Sequence, residues 1–226
     1  MTEAADPELV AEISRRLATV RASIEATGRS IDDISIVAVT KGFGVAVVRA
    51  AIKAGLTRFG ENYADELVEK ASSLHDQRVR WTFQGRLQSN KINRLIPYVS
   101  LWQTISSPQQ ADALAKRLPG ASVCLQVNLT GSNVQGGCTF AELDGLLSRA
   151  LSQGLTVRGL MGIGPGAEDP VSRRQRFAEL HQARIRYGLD ITSMGMSDDF
   201  VDAVAEGSNM VRLGSALFGV RPIGAT

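Results

Sequence analysis

The sequence predicts an α/β protein, a single (β/α)8 TIM barrel over residues 1–226 with one extra helix at its N-terminus. Three observations carry that expectation. After the leading helix, short apolar runs alternate with amphipathic stretches eight times. The runs are apolar at both parities, so both faces of each strand are covered, as in a parallel sheet walled by helices. Eight such units in 226 residues match the usual barrel size of about 200–250 residues. An open doubly wound sheet alternates in the same way but usually has fewer strands.

The elements follow in order. Asp6-Pro7-Glu8 reads as N-cap, first helical position and first-turn acid, and Val10, Ile13, Leu17, Val20 and Ile24 recur at helical spacing up to Gly28. Residues 34–41 form the first strand, and a helix over 45–54 stops at Gly55. A strand over 57–60 leads through Glu61-Asn62-Tyr63 into a helix ending near residue 74. Residues 80–84 form the third strand, broken by Gly85, and the polar stretch 86–96 is expected to be helical. Strand 98–105 precedes a helix opened by Ser107-Pro108 and running to residue 118. Strand 122–129 precedes a loop over 130–137 and a helix from Thr139 to about residue 153. Strand 155–163 is followed by the Gly164-Pro165-Gly166 loop and a helix over 170–187. Strand 189–193 leads through Met194-Gly195-Met196-Ser197 into a helix over 198–206. Strand 209–213 and a short helix over 214–218 complete the pattern.

Composition excludes several classes. A net charge of +2 offers no electrostatic case for nucleic acid or an anionic membrane. The Arg173-Arg174-Gln175-Arg176 cluster lies in a helical pattern and reads as a solvated face. No apolar run approaches the roughly 18 residues that span a bilayer. The N-terminus is acidic and lacks the order of a signal peptide, so a cytoplasmic protein is expected. Cys124, Cys138, His75 and His181 have neither disulfide-framework nor ligand-like spacing, so no metal site is expected.

The chemistry gathers at strand ends. Ile34-Ser35-Ile36-Val37-Ala38-Val39-Thr40-Lys41 stops at an amine followed by Gly42, which places Lys41 at the carboxyl edge where such folds build their sites. Desolvation of an amine favours its neutral, nucleophilic form. The plainer reading is a lysine snorkelling into water. Gly195 and Ser197 follow the seventh strand, and Gly214 and Ser215 the eighth, where barrels commonly bind phosphate on helix N-termini. Ser197 also fits as N-cap of the next helix, these residues by themselves read rather as ordinary caps and turns, and Asp198 and Asp199 would repel a phosphate close to them. Arg212 lies among apolar neighbours in Met210-Val211-Arg212-Leu213, where an unpaired charge is costly. It calls for an ion pair, for example with Glu61, or for a ligand atom in the barrel mouth. An amine, a phosphate cradle and an arginine between them suit pyridoxal phosphate, its aldehyde on Lys41 as a Schiff base and its ring nitrogen at Arg212. Gly42-Phe43-Gly44-Val45-Ala46-Val47 nearly matches a dinucleotide fingerprint with Glu61 downstream, but Val47 stands where close helix–strand packing needs a small residue.

These stretches carry a resemblance. Val37-Ala38-Val39-Thr40-Lys41, Phe59-Gly60-Glu61-Asn62-Tyr63, Leu87-Gln88-Ser89-Asn90-Lys91, Arg158-Gly159-Leu160-Met161, Ser193-Met194-Gly195-Met196-Ser197-Asp198-Asp199 and Val211-Arg212-Leu213-Gly214-Ser215-Ala216-Leu217-Phe218-Gly219 stand in the order found in the YggS/PROSC family of pyridoxal phosphate homeostasis proteins, which the chain resembles over nearly its whole length. The resemblance implies a fold-type III barrel with the cofactor on Lys41, phosphate contacts from Ser197, Gly214 and Ser215, Arg212 at the pyridine nitrogen, and Asn62 and Met196 in the pocket. Three departures concern the rim. Thr82 stands where the family usually has a histidine, Gly42-Phe43-Gly44 replaces a more polar segment, and Asn133-Val134-Gln135-Gly136-Gly137 lacks a lysine often seen there.

Two functions follow from the resemblance. One is a carrier that holds the cofactor, balances vitamin B6 pools without strong turnover, and has pyridoxal-phosphate-dependent apoenzymes as partners. The other is an amino-acid racemase. Related racemases carry an additional β-domain that closes a dimer and supplies a tyrosine base, whereas here the barrel is expected to use the chain up by Pro222. A carrier, monomeric or weakly dimeric, is the expectation; Tyr63 is the one tyrosine expected near the mouth, against Tyr98 and Tyr187 elsewhere.

Overall fold

The computed structural model describes residues 5–74, 76–132, 134–166 and 169–220. His75, Asn133 and Pro222 lie outside the described residues. Eight parallel strands pair in sequence order: β1 (Ser35–Val39), β2 (Arg58–Glu61), β3 (Arg80–Phe83), β4 (Val99–Ile105), β5 (Ser122–Asn128), β6 (Thr156–Ile163), β7 (Ile191–Ser193) and β8 (Met210–Leu213). β8 returns to β1 with Val37 opposite Arg212 and Ala38 opposite Leu213, so the sheet closes. That closure removes the doubly wound alternative, and the dinucleotide-like glycines mark only the turn after β1.

The helices are α1 (Pro7–Glu25), α2 (Val45–Lys53), α3 (Ala64–Ser72), α4 (Ile92–Leu95), α5 (Pro108–Ala115), α6 (Leu143–Ser152), α7 (Pro170–Arg186), α8 (Phe200–Ala205) and α9 (Ser215–Phe218). The capping expected of Asp6 is present: its carboxylate accepts from the Glu8 amide at 2.9 Å. Ser107 and Asp169 cap α5 and α7 in the same way. The leading helix α1 buries Ile13, Leu17, Val20 and Ile24 and packs against α2, α8 and α9.

Strand alternation sets what reaches the mouth. Val37 points into the barrel with Leu101, Cys124, Met161 and Met210, while Ala38 joins the layer between barrel and helices. The same parity brings Val39 and Lys41 inward and leaves Thr40 facing outward. The two cysteines are free and buried, with burial pushing the thiol of Cys124 up to about 12 and that of Cys138 up to about 11.

Two helix expectations differ from the structure. The stretch 86–96 is helical only over α4. Arg86, Gln88, Ser89 and Asn90 are exposed and Leu87 alone is buried before Ile92, so no apolar face holds an earlier turn against the barrel. Thr139 and Glu142 form a reciprocal capping pair, the Glu142 carboxylate accepting from the Thr139 amide at 2.8 Å. The regular helix α6 begins only after it, at Leu143.

Candidate functional site

A cleft of about 250 Å³ opens at the carboxyl ends of the strands. Lys41, Asn62, Met196, Ser197, Arg212, Gly214 and Ser215, all singled out in the sequence, line it together. They come from the turns after β1, β2, β7 and β8 and from β8 itself, so only closure of the barrel makes them neighbours. Val39, Met161 and Ile163 supply apolar wall, and Gln84 and Asp198 complete the lining.

Lys41 sits on a turn held from several directions. Gly42 takes a positive φ of 75°, and the Phe43 amide donates back to the Thr40 carbonyl at 3.0 Å. The Phe43 ring packs on Phe218 of α9 with centroids 5.5 Å apart. Behind the turn lies a buried ionic cluster: Lys70 donates to Glu61, Glu66 and the Thr40 carbonyl at 2.7, 2.7 and 2.8 Å. Burial holds the Glu61 carboxyl above its usual range, outweighing the lowering by Lys70, and its Oε2 is buried without a hydrogen-bond partner among the described residues.

Asn62 owes its position to close backbone contact. A Cβ on Gly85 would stand 1.8 Å from the Asn62 carbonyl oxygen, so only glycine lets the chains after β2 and β3 approach this closely. Beside it, Thr82 donates to the Phe59 carbonyl at 3.1 Å and accepts from Gln84 at 3.2 Å. Where the family resemblance leads one to expect a histidine, this chain has a buried hydroxyl that orients a cleft-lining amide.

Arg212 is 4% exposed and does not pair with Glu61. Its Nη1 donates to the Ser193 carbonyl and hydroxyl, each at 2.8 Å, and its Nη2 to the Gly162 carbonyl at 2.8 Å. The Ser193 hydroxyl in turn donates to Gln103 Oε1 at 2.7 Å. Desolvation brings the guanidinium down to about 10, opposed by Asp199, so it stays charged at neutral pH. A guanidinium has five N–H donors, and these bonds occupy at most three.

Ser197 corrects another expectation. It does not cap α8; its hydroxyl accepts from the Gly214 and Ala216 amides at 3.2 and 3.0 Å, where α9 begins. The Gly214 amide, expected to face a phosphate, thus ends on the Ser197 hydroxyl together with the Ala216 amide. Asp199 does not confront the cleft either: its carboxylate accepts from the Met196 amide, and burial raises it above its usual range. Asp198 does line the cleft, exposed to solvent.

Sequence reasoning missed Gln84 and Lys70. Gln84 follows a strand end just as Lys41 and Asn62 do, which was a usable signal. Lys70 had only the Glu66–Lys70 spacing of four, which on most helices marks an exposed pair.

The donor set fits a flat aromatic phosphate ester bearing a carbonyl: an amine, a buried guanidinium, convergent amides and hydroxyls, and an apolar wall. Barrel and site together define the class, and the alanine racemase N-terminal domain family matches residues 16–222. A pyridoxal phosphate homeostasis protein from Pseudomonas aeruginosa is 37% identical over 221 residues, covering 94% of this chain and 96% of the relative. Its Escherichia coli K12 counterpart is 36% identical over 228 residues, with 93% and 97% covered. The structure of PipY from Synechococcus elongatus, solved with PLP bound, superposes at a TM-score of 0.78 and 31% identity, covering 92% of this chain and all of that one. The chain belongs to the pyridoxal phosphate homeostasis protein family.

Proposed function

We propose that this protein holds pyridoxal phosphate covalently on Lys41 and acts as a carrier without strong turnover. The observation behind the proposal is that all seven residues singled out in the sequence line one cleft. The cofactor supplies an aldehyde that condenses with a primary amine, C=N replacing C=O as water leaves. Lys41 provides the amine. Ser197, Ser215 and the turn at Gly214 that opens α9 would hold the phosphate, and Asn62 and Met196 would border the ring. Arg212 faces the ring nitrogen. Because the guanidinium keeps its proton at neutral pH, it leaves that nitrogen unprotonated and the ring a weak electron sink.

The carrier reading is further supported by the lining, in which, among the described residues, Lys41 is joined by a single carboxylate, Asp198, and by no tyrosine or histidine. Tyr63 is 59% exposed outside the cleft, and Tyr187 is bonded to Asp144 on the outer helices at 2.6 Å. Two-base proton transfer without a second positioned base forgoes one general catalyst, typically about 10²–10⁴-fold.

The test is the visible spectrum of the protein with pyridoxal phosphate, followed by borohydride reduction and mapping of the labelled peptide. Reduction should fix the label on Lys41, with no chiral inversion of added amino acids at ordinary enzyme rates. Label elsewhere would overturn the site, and rapid inversion would make the protein a racemase.

A further inference from the structure

We infer that Lys70, gripped between Glu61 and Glu66, is a positioning residue for Lys41, and that the cluster tethers the chain on both sides of the amine. The inference rests on the reading that pyridoxal phosphate joins Lys41. Lys70 is 3% exposed, and its ammonium has three N–H groups, each with an acceptor: Glu61 Oε1, Glu66 Oε2 and the Thr40 carbonyl. The Thr40 hydroxyl donates to Glu61 Oε1 at 2.6 Å. The Gly42 amide donates to Glu66 Oε2 at 2.8 Å. The residues before and after Lys41 are thus bonded to one cluster, built on β2 and α3, while the Lys41 side chain enters the cleft on the opposite face of the strand.

A purely stabilising role explains this arrangement poorly. Buried ion pairs are weak evidence for stability, since well-packed apolar replacements often do as well or better. Here one carboxylate oxygen, Glu61 Oε2, is even left buried and unbonded among the described residues. The cluster does fix a position. A lysine reaches its target through a flexible four-carbon stem, so the geometry a scaffold can impose is that of its Cα and the peptides flanking it. Those are the groups the cluster holds.

The experiment follows growth of the imine absorbance after pyridoxal phosphate is added to wild type, Glu66→Ala, Glu66→Gln and Lys70→Met. All are compared at a temperature where thermal unfolding shows each folded. Glu66→Ala releases the Gly42 amide and should slow imine formation about tenfold, since displacements near 1 Å can cost about 10²-fold. Glu66→Gln keeps an acceptor and should recover most of the rate. Lys70→Met should be slower than either; if it does not fold, the Glu66 pair decides. A lower melting temperature for Glu66→Ala with an imine rate within about twofold of wild type would mark the cluster as merely structural and overturn the inference. Absence of a Lys41 imine in wild type would instead bring down the parent reading.

Discussion

Two buried cations flank the mouth of the barrel and are compensated in opposite ways. Lys70, behind β1 and β2, has Glu61 and Glu66 at 2.7 Å each. Arg212, within β8, has no carboxylate at salt-bridge distance among the described residues; carbonyl and hydroxyl oxygens of Ser193 and Gly162 answer it. An ammonium whose donors all end on fixed acceptors belongs to the scaffold. A guanidinium with donors to spare, its hydrogen bonds ending only on neutral oxygens, suits an acceptor that arrives with a ligand. The difference separates a charge that shapes the site from a charge that serves it.

The amine of Lys41 sets the scale of the expected effects. Lys41→Ala should abolish the borohydride-trapped adduct completely, because among the described residues no other amine lines the cleft. Stoichiometric adduct in that variant would remove Lys41 from the comparison altogether.

The two buried cations should then separate on two axes. Lys70→Met strands the buried Glu61 carboxylate and should destabilise the cofactor-free protein by about 3–5 kcal/mol. Arg212→Met strands only neutral acceptors and should cost about 1–3 kcal/mol. Retention of the cofactor should rank the other way, with Arg212→Met weakening equilibrium binding about tenfold or more through loss of a charge-assisted hydrogen bond of about 1.5–3 kcal/mol. Denaturant unfolding and a pyridoxal phosphate titration read the two axes separately. If Arg212→Met proved the more destabilising and the better binder, the contrast between scaffold and service would be reversed.

Ser197→Ala is a smaller perturbation. It removes the oxygen on which the Gly214 and Ala216 amides converge, at a half-buried position. Retention should fall by about 1 kcal/mol, roughly fivefold, visible as faster loss of bound cofactor on dilution. Unchanged retention would mean that the amides bind the phosphate without help from this hydroxyl.

The same contrast explains what could be read from the sequence. The barrel was legible because each strand is short, apolar on both parities and bounded by glycine or a cap, as with the run from Ile34 to Lys41. The lining was legible because Lys41, Asn62 and Arg212 lie at or next to strand ends, where barrel geometry alone brings side chains together. Partners in space were not legible. Glu61 was expected beside Arg212 and not beside Lys70, and only the outward parity of β2 sends it to α3. Ser197 had the local pattern of a cap, which does not distinguish capping its own helix from capping α9 across the mouth. The helix expected over 86–96 shortened to α4 because polar residues at helical spacing form no packing face.

The smallest expected effect probes the scaffold side. The folded protein raises Glu61 above its ordinary value of 4.5, chiefly by burial, while Lys70 opposes that rise and Glu66 adds to it. Between 4.5 and the raised value the native state retains a proton that the unfolded chain has released. Unfolding there sheds a proton, so this group's contribution to stability declines as pH rises through that window and is flat on either side of it. Glu61→Gln should remove this decline, giving a flatter unfolding free energy against pH than wild type; Asp199, also raised by burial, leaves a residual slope in both. Lys70→Met takes away the cation that holds Glu61 down, so its decline should extend to higher pH than in wild type. Identical pH slopes in wild type and Glu61→Gln would mean that Glu61 remains ionised throughout, with the Lys70 field outweighing burial. The tether on Lys41 would then be a permanent ion cluster whose grip does not vary with pH.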